Sequence, residues 1–391
     1  MQKFSATYIF PGNATPIKNG VIEINSDGKI LALLNPEKDS INWNDVEKFE
    51  GIICPGFVNT HCHLELSYLK GAIAEKTKLH GFVKDIITLR NNYTEEEKLA
   101  AIIKAEQEMI ANGIVAVGDI SNGTSSFKTK QNSSIAYHTF IEVFGSDPKI
   151  ASEAFIHAEE VFETYFNNNR ASITPHATYS VSDNLVKMIN EHTTKNNSIF
   201  SLHNQETASE NEFYQKGKGK LFEFLNISEK TNHQFVPTKR NALPSFLDKF
   251  KQLNKILLVH NTFTNQEDIT WANKYSKDIY WCFCPNANEY IEAKQPNYRL
   301  FENEKCTIGT DSLASNWSLS ILDELKTISK KDKTIPLEKL IKWATFNGAQ
   351  FLGFNHLGSI EKGKSPGLNL IKNVDLKNLT LKTDSQILKI S

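Results

Sequence analysis

The middle of the chain, from about residue 52 to residue 345, alternates short apolar segments with amphipathic ones. Eight segments have the length and apolar character of buried strands: Ile52–Val58, Ile114–Ile120, Ile135–Phe144, Ala171–Pro175, Ile199–His203, Lys255–His260, Ile279–Cys284 and Cys306–Gly309. Helical patterns follow most of them. Eight alternating units in a region of this length favour a closed parallel barrel over an open sheet. The sequence therefore predicts an α/β fold of the (β/α)8 TIM barrel type.

The two ends of the chain resemble each other and differ from the middle. Residues 1–53 and 351–391 both contain short alternating runs that are typical of strands. Neither end has enough apolar residues to form a core alone, so we expect them to pair. The prediction is a small composite β-domain formed by both termini, with residues 54–350 as the barrel. One segment, Ile227–Pro244, interrupts the alternation and is predicted to be a surface insertion.

Composition excludes several classes of protein. A net charge of −1 gives no electrostatic basis for binding nucleic acid or an anionic membrane. No uncharged apolar run approaches the ~20 residues that span a bilayer, and no secretory signal is visible. Five cysteines, an odd number, do not suggest a disulfide framework. We expect a cytoplasmic protein that acts on a small molecule, without nucleic-acid or membrane partners; a homodimer is left open.

Histidines concentrate where the predicted strands end. The chain has 11 histidines, and five of them stand at such ends: His61, His63, His176, His203 and His260. The functional residues of a parallel barrel lie at the carboxyl ends of its strands. His61 and His63 share one face of a strand, and neutral imidazole is a common metal ligand. One buried histidine is often a core residue, but several at neighbouring strand ends have no packing explanation and indicate a metal site.

Two acidic residues occupy the same kind of position. Glu206 follows His203 by three residues, where its carboxylate could lie over an open coordination position and move protons. The structural alternative for Glu206 is a residue at a helix start, favoured by the helix dipole. Asp311 directly ends the eighth strand, and its structural alternative is a helix cap or a turn residue.

These motifs resemble those of the amidohydrolase superfamily, and within it the metal-dependent aminohydrolase (deaminase) branch. That branch includes aminofutalosine, adenosylhomocysteine and guanine deaminases and triazine hydrolases. The matching segments, in the family's order, are Pro55–His63, Pro175–Ser180, His203–Glu206, Leu258–His260, Cys284–Asn288, Gly309–Ser312, Ala344–Ala349 and Gly358–Lys364. The resemblance covers nearly the whole chain. One departure is Cys284-Pro285-Asn286-Ala287-Asn288, which often reads Cys-Pro-x-Ser-Asn in the branch.

The resemblance implies roles for individual residues. The implied metal ligands are His61, His63, His203 and Asp311; the implied catalytic residues are Glu206, His260 and Asp311; Glu65 and His176 are candidates for substrate binding. Members with two metals have a bridging lysine at the end of the fourth strand, where this chain has His176. The resemblance therefore implies one divalent ion. Zinc suits three histidines and a carboxylate, with iron(II) and manganese(II) as alternatives.

The predicted function is hydrolysis of a non-peptide carbon–nitrogen bond. The expected reaction is deamination of an amino-substituted nitrogen heterocycle, in particular an aminopurine nucleoside such as an aminofutalosine-like compound, because Leu64-Glu65-Leu66-Ser67 looks most like that subgroup. Two alternatives stay open: hydrolysis of a non-peptide amide or cyclic amide, and a non-catalytic barrel scaffold. Gly358–Ser365 matches a phosphate-binding loop, but Pro366 and a strand pattern follow it where that loop needs a helix.

Overall fold

The computed structural model describes residues 1–166, 170–227, 235–251 and 253–391. Its strands are β1 Gln2–Ile9, β2 Ile17–Lys18, β3 Val21–Ile24, β4 Ile30–Leu34, β5 Val46–Pro55, β6 Phe57–Cys62, β7 Ile114–Ser121, β8 Ala136–Val143, β9 Arg170–Pro175, β10 Phe200–Asn204, β11 Ile256–His260, β12 Ile279–Phe283, β13 Cys306–Ile308, β14 Leu368–Asp375 and β15 Thr380–Lys389. Its α-helices are α1 Lys78–Leu89, α2 Glu95–Ala111, α3 Phe127–Gln131, α4 Ala151–Phe166, α5 Asp183–Asn196, α6 Ala208–Lys216, α7 Lys220–Ile227, α8 Ala242–Leu247, α9 Gln266–Tyr275, α10 Pro285–Glu292, α11 Ile321–Lys331, α12 Leu337–Lys342 and α13 Gly348–Leu352.

Eight parallel strands form the core of the molecule in two four-stranded sheets. One sheet has the order β6-β7-β8-β9 and the other β10-β11-β12-β13. Single bridges join the sheets at both edges, Ala177 to His203 at one and Cys62 to Asp311 at the other. The strands thus follow one another in chain order around a TIM-barrel-like core, and the predicted fold class is confirmed.

The first predicted strand, Ile52–Val58, is wrong as a single element. The structure divides it at Gly56: β5 ends at Pro55, and β6 begins at Phe57 as the first barrel strand. A Cβ at position 56 would lie 2.3 Å from Val115 Cγ1, so only glycine fits where the chain passes the second barrel strand. The apolar run Ile52–Val58, which precedes the paired histidines, therefore contributes strands to two different sheets.

The second unit is one sheet built from both termini, as predicted. Its order is β15-β14-β5-β1-β3-β4, with β2 paired to β1. β14 runs antiparallel to β5, so the last part of the chain packs directly against the strand that leads into the barrel. The last two alternating runs of the chain, Leu379–Leu381 and Gln386–Ile390, lie mostly in the single strand β15. The division at residues 53 and 350 stays a prediction; α13 crosses the second of these positions.

Part of the predicted insertion Ile227–Pro244 lies outside the described residues, at 228–234. Its last three residues belong to α8, where Ala242 and Leu243 are fully buried. For those residues the prediction of a surface segment is wrong, because an apolar turn of helix is packed into the core. Among the helices that the structure describes, none is long and apolar enough to cross a membrane.

Candidate metal centre

The carboxyl ends of the first, fifth and eighth barrel strands bring three imidazoles and a carboxylate to one point. His63 Nε2 lies 3.2 Å from His61 Nε2 and 3.2 Å from His203 Nε2. Asp311 Oδ1 lies 3.4 Å from His63 Nε2 and 3.7 Å from His61 Nε2. Groups bound ~2.0–2.1 Å from one tetrahedral ion have separations of this size. These four side chains therefore fit a single divalent ion.

The strands can approach this closely because Gly309 has no side chain. A Cβ at Gly309 would lie 2.8 Å from His61 Cβ and 2.9 Å from Cys282 Sγ. At the same seam, Asn59 Nδ2 donates to Thr310 Oγ1 at 2.7 Å, and Asn59 Oδ1 accepts from Thr310 N at 3.1 Å. The first and eighth strands are thus held together directly below the metal-binding groups.

Burial sets the protonation states that a metal requires. It lowers the pKa of His61 and of His203, and it lowers that of His63 to about 3, so all three rings are neutral at pH 7. Burial alone would raise the pKa of Asp311, but its interactions with His61, His63 and His260 outweigh burial and lower it. The result is three lone pairs and one anion, which is the donor set of a zinc-type site.

Hydrogen bonds to the second polar atom of each side chain orient two candidate metal ligands, His203 and Asp311. His203 Nδ1 donates to the backbone carbonyl of His176 at 2.8 Å, which leaves Nε2 with its lone pair facing the other imidazoles. Asp311 Oδ2 accepts from Ser315 Oγ at 2.7 Å. His61 Nδ1, by contrast, has no hydrogen-bond partner among the described residues.

Strained backbone occurs at three strand ends of the centre. Gln205, His260 and Asp311 have φ of +46°, +74° and +58°, in the left-handed region that residues with a side chain rarely adopt. Such conformations cost on the order of 1–3 kcal/mol each and persist only where the surroundings impose them. They turn the chain sharply so that polar side chains face the centre.

Glu206 and His260 lie side by side at the edge of the cluster. Glu206 Oε2 is 3.7 Å from His260 Nε2, and both side chains are buried. Burial, with the nearby charges of Asp311 and Glu292, raises the pKa of Glu206 well above its usual value. A raised pKa favours the protonated form of the carboxyl group, which can then act as a proton donor.

Two further residues fix this pair. Glu210 accepts the backbone N–H groups of Gln205, Glu206 and Thr207 at 3.1, 2.7 and 3.2 Å, which holds the turn that presents Glu206. Asn288 Oδ1 accepts from His260 Nδ1 at 2.9 Å. With its proton on Nδ1, His260 presents Nε2 as an acceptor towards the centre.

The two candidates for substrate binding lie on the opposite side of the cluster. The ring of His176 is 4.8 Å from that of His203 between centroids, and its Nδ1 is 3.0 Å from Ser180 Oγ. Glu65 lies farther along the chain from His63, in the 3₁₀ helix Leu64–Leu69. Its carboxylate accepts from Asn122 N at 3.0 Å and from Ser125 Oγ at 3.2 Å, so the loop after β7 holds it.

Sequence reasoning missed several supporting residues. Glu210 was detectable only as the fourth residue of a helix-start pattern, Thr207-x-x-Glu210, which predicts a cap and not a role at the site. Glu142 had a signal that was not used: an acid near the end of an apolar strand. Asn122 lies in a loop whose sequence carries no signal for its contacts.

Comparison with known proteins identifies the family of the chain. The model of the amidohydrolase family matches residues 52–388. A relative from Nitratiruptor sp., an aminodeoxyfutalosine deaminase, is 29% identical over 334 residues, which are 82% of this chain and 78% of the relative.

Solved structures show the same fold. The aminofutalosine deaminase of Helicobacter pylori, in complex with methylthio-coformycin, superposes with a TM-score of 0.79 at 23% identity, covering 95% of this chain and 92% of the other. An adenosine deaminase from Xanthomonas campestris with bound zinc has a TM-score of 0.73 at 20% identity, covering 97% and 86% of the two chains. The family match over most of the chain and the shared fold lead to one conclusion: this chain belongs to the amidohydrolase family, whose members are metal-dependent hydrolases.

Proposed function

We propose that this chain is a mononuclear metal-dependent hydrolase that deaminates an amino-substituted nitrogen heterocycle, specifically an aminopurine nucleoside such as an aminofutalosine-like compound. The observation that carries the proposal is the buried carboxyl group of Glu206, 3.7 Å from His260 Nε2 and beside a centre of three imidazoles and one carboxylate. The relatives named above deaminate compounds of this class. A proton donor next to a hydrolytic centre is what loss of an amine from a ring carbon needs.

His61, His63, His203 and Asp311 would hold the metal ion. A bound divalent ion supplies a water of lowered pKa, near about 7 for zinc, as the nucleophile at neutral pH. Asp311 accepts a proton from the attacking water, because its carboxylate is ionised and adjoins the histidines. Glu206 donates its proton to the ring nitrogen next to the carbon under attack. The proton that Asp311 took from the water then goes to the departing amine, and Glu206 recovers a proton from the added hydroxyl group as the C=O bond forms. His260, through Nε2, steadies the attacking oxygen.

The same proposal assigns substrate recognition to the other side of the centre. His176 and Glu65 are polar and partly buried, and they lie away from the proton-transferring pair. A ribose or another polar substituent of the nucleoside would bind there, with the base directed at Glu206. Sugar hydroxyls both donate and accept hydrogen bonds, so they suit an imidazole and a carboxylate.

Zinc is the proposed metal, with iron(II) and manganese(II) as alternatives that the same ligands would bind. A cytoplasmic location is also proposed: all five cysteines are buried and free, as in proteins of reducing compartments. The absence of nucleic-acid and membrane partners and the oligomeric state stay predictions.

The test of function is a panel of substrates for the zinc-loaded protein. Ammonia release and the ultraviolet change from amino- to oxopurine should appear with aminopurine nucleosides. If no compound on that panel reacts and an N-acyl or cyclic amide is hydrolysed, the protein belongs to the alternative class of amide hydrolases. Elemental analysis of the same sample should give one ion per chain; two ions per chain at full occupancy would contradict the mononuclear assignment.

A further inference from the structure

Glu142, near the end of β8, has a buried carboxylate that is only half satisfied. Its Oε2 accepts from Asn122 Nδ2 at 3.1 Å, and Asn122 Nδ2 also reaches the Glu142 carbonyl at 3.3 Å. Its Oε1 is buried and has no hydrogen-bond partner among the described residues. A buried acceptor without a donor destabilises the folded state, and such atoms are rare in folded proteins.

The N–H group that faces Glu142 Oε1 belongs to His203, one of the candidate metal ligands. Glu142 Oε1 is 3.4 Å from His203 Nδ1, whose proton is donated to the His176 carbonyl at 2.8 Å. One N–H group therefore faces two acceptor oxygens, the His176 carbonyl oxygen and Oε1 of the Glu142 carboxyl group. Both favour the proton on Nδ1 and thus leave the lone pair of Nε2 for a metal.

A second metal site is the competing explanation for this cluster. Ligand atoms of Glu142, His176 and His203 lie within 4.8 Å of one another. However, His203 Nδ1 already donates to a carbonyl, and its Nε2 faces His61 and His63. His203 thus has no lone pair left for a second ion, and a carboxylate and one imidazole alone make a poor site.

Glu142 also connects the metal centre to the proposed recognition side. The Asn122 side chain binds Glu142, while the Asn122 backbone N–H donates to Glu65 Oε2 at 3.0 Å. The loop after β7 therefore holds two carboxylates from different strand ends in fixed positions.

We propose that Glu142 is a positioning residue of the metal centre: its carboxylate shares the Nδ1 proton of His203 with the His176 carbonyl, fixes the plane of the ring and makes Nε2 a better metal ligand. The inference deepens the proposed function and rests on His203 being a ligand. Partners of metal-bound histidines contribute about 10- to 100-fold to metal affinity or activity.

The test is Glu142→Gln. Glutamine keeps the size and burial of the side chain, but it has one oxygen. If that oxygen accepts from Asn122, the glutamine NH₂ group faces the His203 N–H and repels it. We expect about a 10-fold or larger rise in the zinc dissociation constant, measured by competition with a chelator, and a changed visible absorption spectrum of the cobalt(II)-substituted protein.

The matched control is Glu106→Gln. Glu106 on α2 is as buried as Glu142, each 7% exposed, but it is bonded to Ser133. The zinc affinity and cobalt spectrum of Glu106→Gln should equal those of the wild type. Thermal unfolding of the metal-free proteins shows whether either change acts only through stability.

Zinc affinity within twofold of the wild type and an unchanged cobalt spectrum in Glu142→Gln would overturn the inference. If that variant does not fold, Glu142→Asp retains the carboxyl group but withdraws the oxygen from Nδ1. It should bind zinc several-fold more weakly, and equal affinity would again overturn the inference. Wild-type protein that binds no zinc would overturn the proposed function itself, so the two failures are distinguishable.

Discussion

The two ends of the barrel strands contain buried histidines in opposite settings. At the carboxyl ends, several rings and carboxylates converge, and each leaves an atom directed at a common point. At the amino ends, His138 in β8 is buried too, but its Nε2 is 2.8 Å from Ser172 Oγ and its ring packs against Phe140. Burial lowers the pKa of His138 to about 3, much as it does for His63. Burial and a shifted pKa therefore do not distinguish a site; convergence of groups directed at one point does.

Charged residues show the same contrast. At the amino ends, Arg170 Nη1 donates to the carbonyls of Leu352 and Gly353 at 2.9 and 3.0 Å, and Lys255 Nζ donates to the Gln350 carbonyl. These are the last carbonyls of α13, where basic groups are stabilising. In the part of the chain that the structure describes, every cluster of candidate metal ligands lies at the carboxyl ends. The charged groups at the amino ends of the strands stabilise the fold, whereas those at the carboxyl ends form the candidate site.

The largest expected effect separates the two histidine types. His203→Ala should lose the metal and reduce turnover to background, because one of the ligands is gone. His138→Ala is the matched change at the other end. It should keep the metal and the turnover while losing about 1–3 kcal/mol of unfolding free energy, since Ser172 is left without its partner. Elemental analysis, turnover and denaturant unfolding measure the three quantities; metal loss in His138→Ala would break the comparison.

The second effect lies within the carboxyl end. Glu206→Gln removes the proton donor without removing a ligand candidate, so we expect retained metal and turnover lowered by ~10²–10⁴-fold, the usual worth of general acid–base catalysis. If the glutamine variant lost its metal as well, Glu206 would belong to the ligand set and its proposed role would be wrong.

A third prediction concerns the pH dependence of stability that His138, at the amino ends of the strands, produces. His138 has a folded-state pKa of about 3, so below the unfolded value of ~6.5 only the unfolded chain takes up a proton there. The stability from this group is present above pH ~6.5 and is lost as pH falls. Between pH 7 and pH 5 the loss is about 2 kcal/mol, at 1.36 kcal/mol per pH unit.

His138→Gln should therefore lose about 2 kcal/mol less stability than the wild type over that pH range, as measured by denaturant unfolding of metal-free protein. The exposed His157 on α4 supplies the control substitution, His157→Gln, which should follow the wild type. If the unfolding free energy changed equally with pH in all three proteins, the low pKa of His138 in the folded state would be wrong.

The smallest expected effect tests the stabilising role of the amino end. Arg170→Met removes the donor to the Leu352 and Gly353 carbonyls and should cost about 0.5–1 kcal/mol of unfolding free energy. The kcat/KM of the zinc-loaded enzyme should not change. A change in kcat/KM without a change in stability would show that the two ends are coupled.

The fold was largely predictable because its signal is periodic. Eight apolar strands separated by helices, with alternating runs at both termini, left few architectures to choose from. The error at Ile52–Val58 came from a continuous apolar run, since periodicity cannot show where one strand ends and the next begins. The division depends on Gly56 lying against Val115, a contact between residues distant in the sequence.

For the site, the sequence identified groups that approach the metal position and missed those that support them. His61, His63, His203 and Asp311 end predicted strands, and the structure brings them together, although their roles stay predictions. Glu142, Asn122 and Asn288 act through contacts across the barrel. Their partners are set by the pairing of neighbouring strands, which residue order along one strand does not specify.

The seam between the first and eighth barrel strands has a consequence for biosynthesis. The bond between Asn59 and Thr310 joins residues 251 positions apart, and β5, which leads into the first strand, must also pair with β14 near the other end of the chain. At ~5–20 residues per second, the ribosome releases His61 and His63 well before their partners exist. Until His203 has been synthesised, a nascent chain can offer a metal only two of the four candidate ligands of this centre. Completion of the candidate metal centre is therefore expected only after Asp311 has been synthesised and this seam has closed.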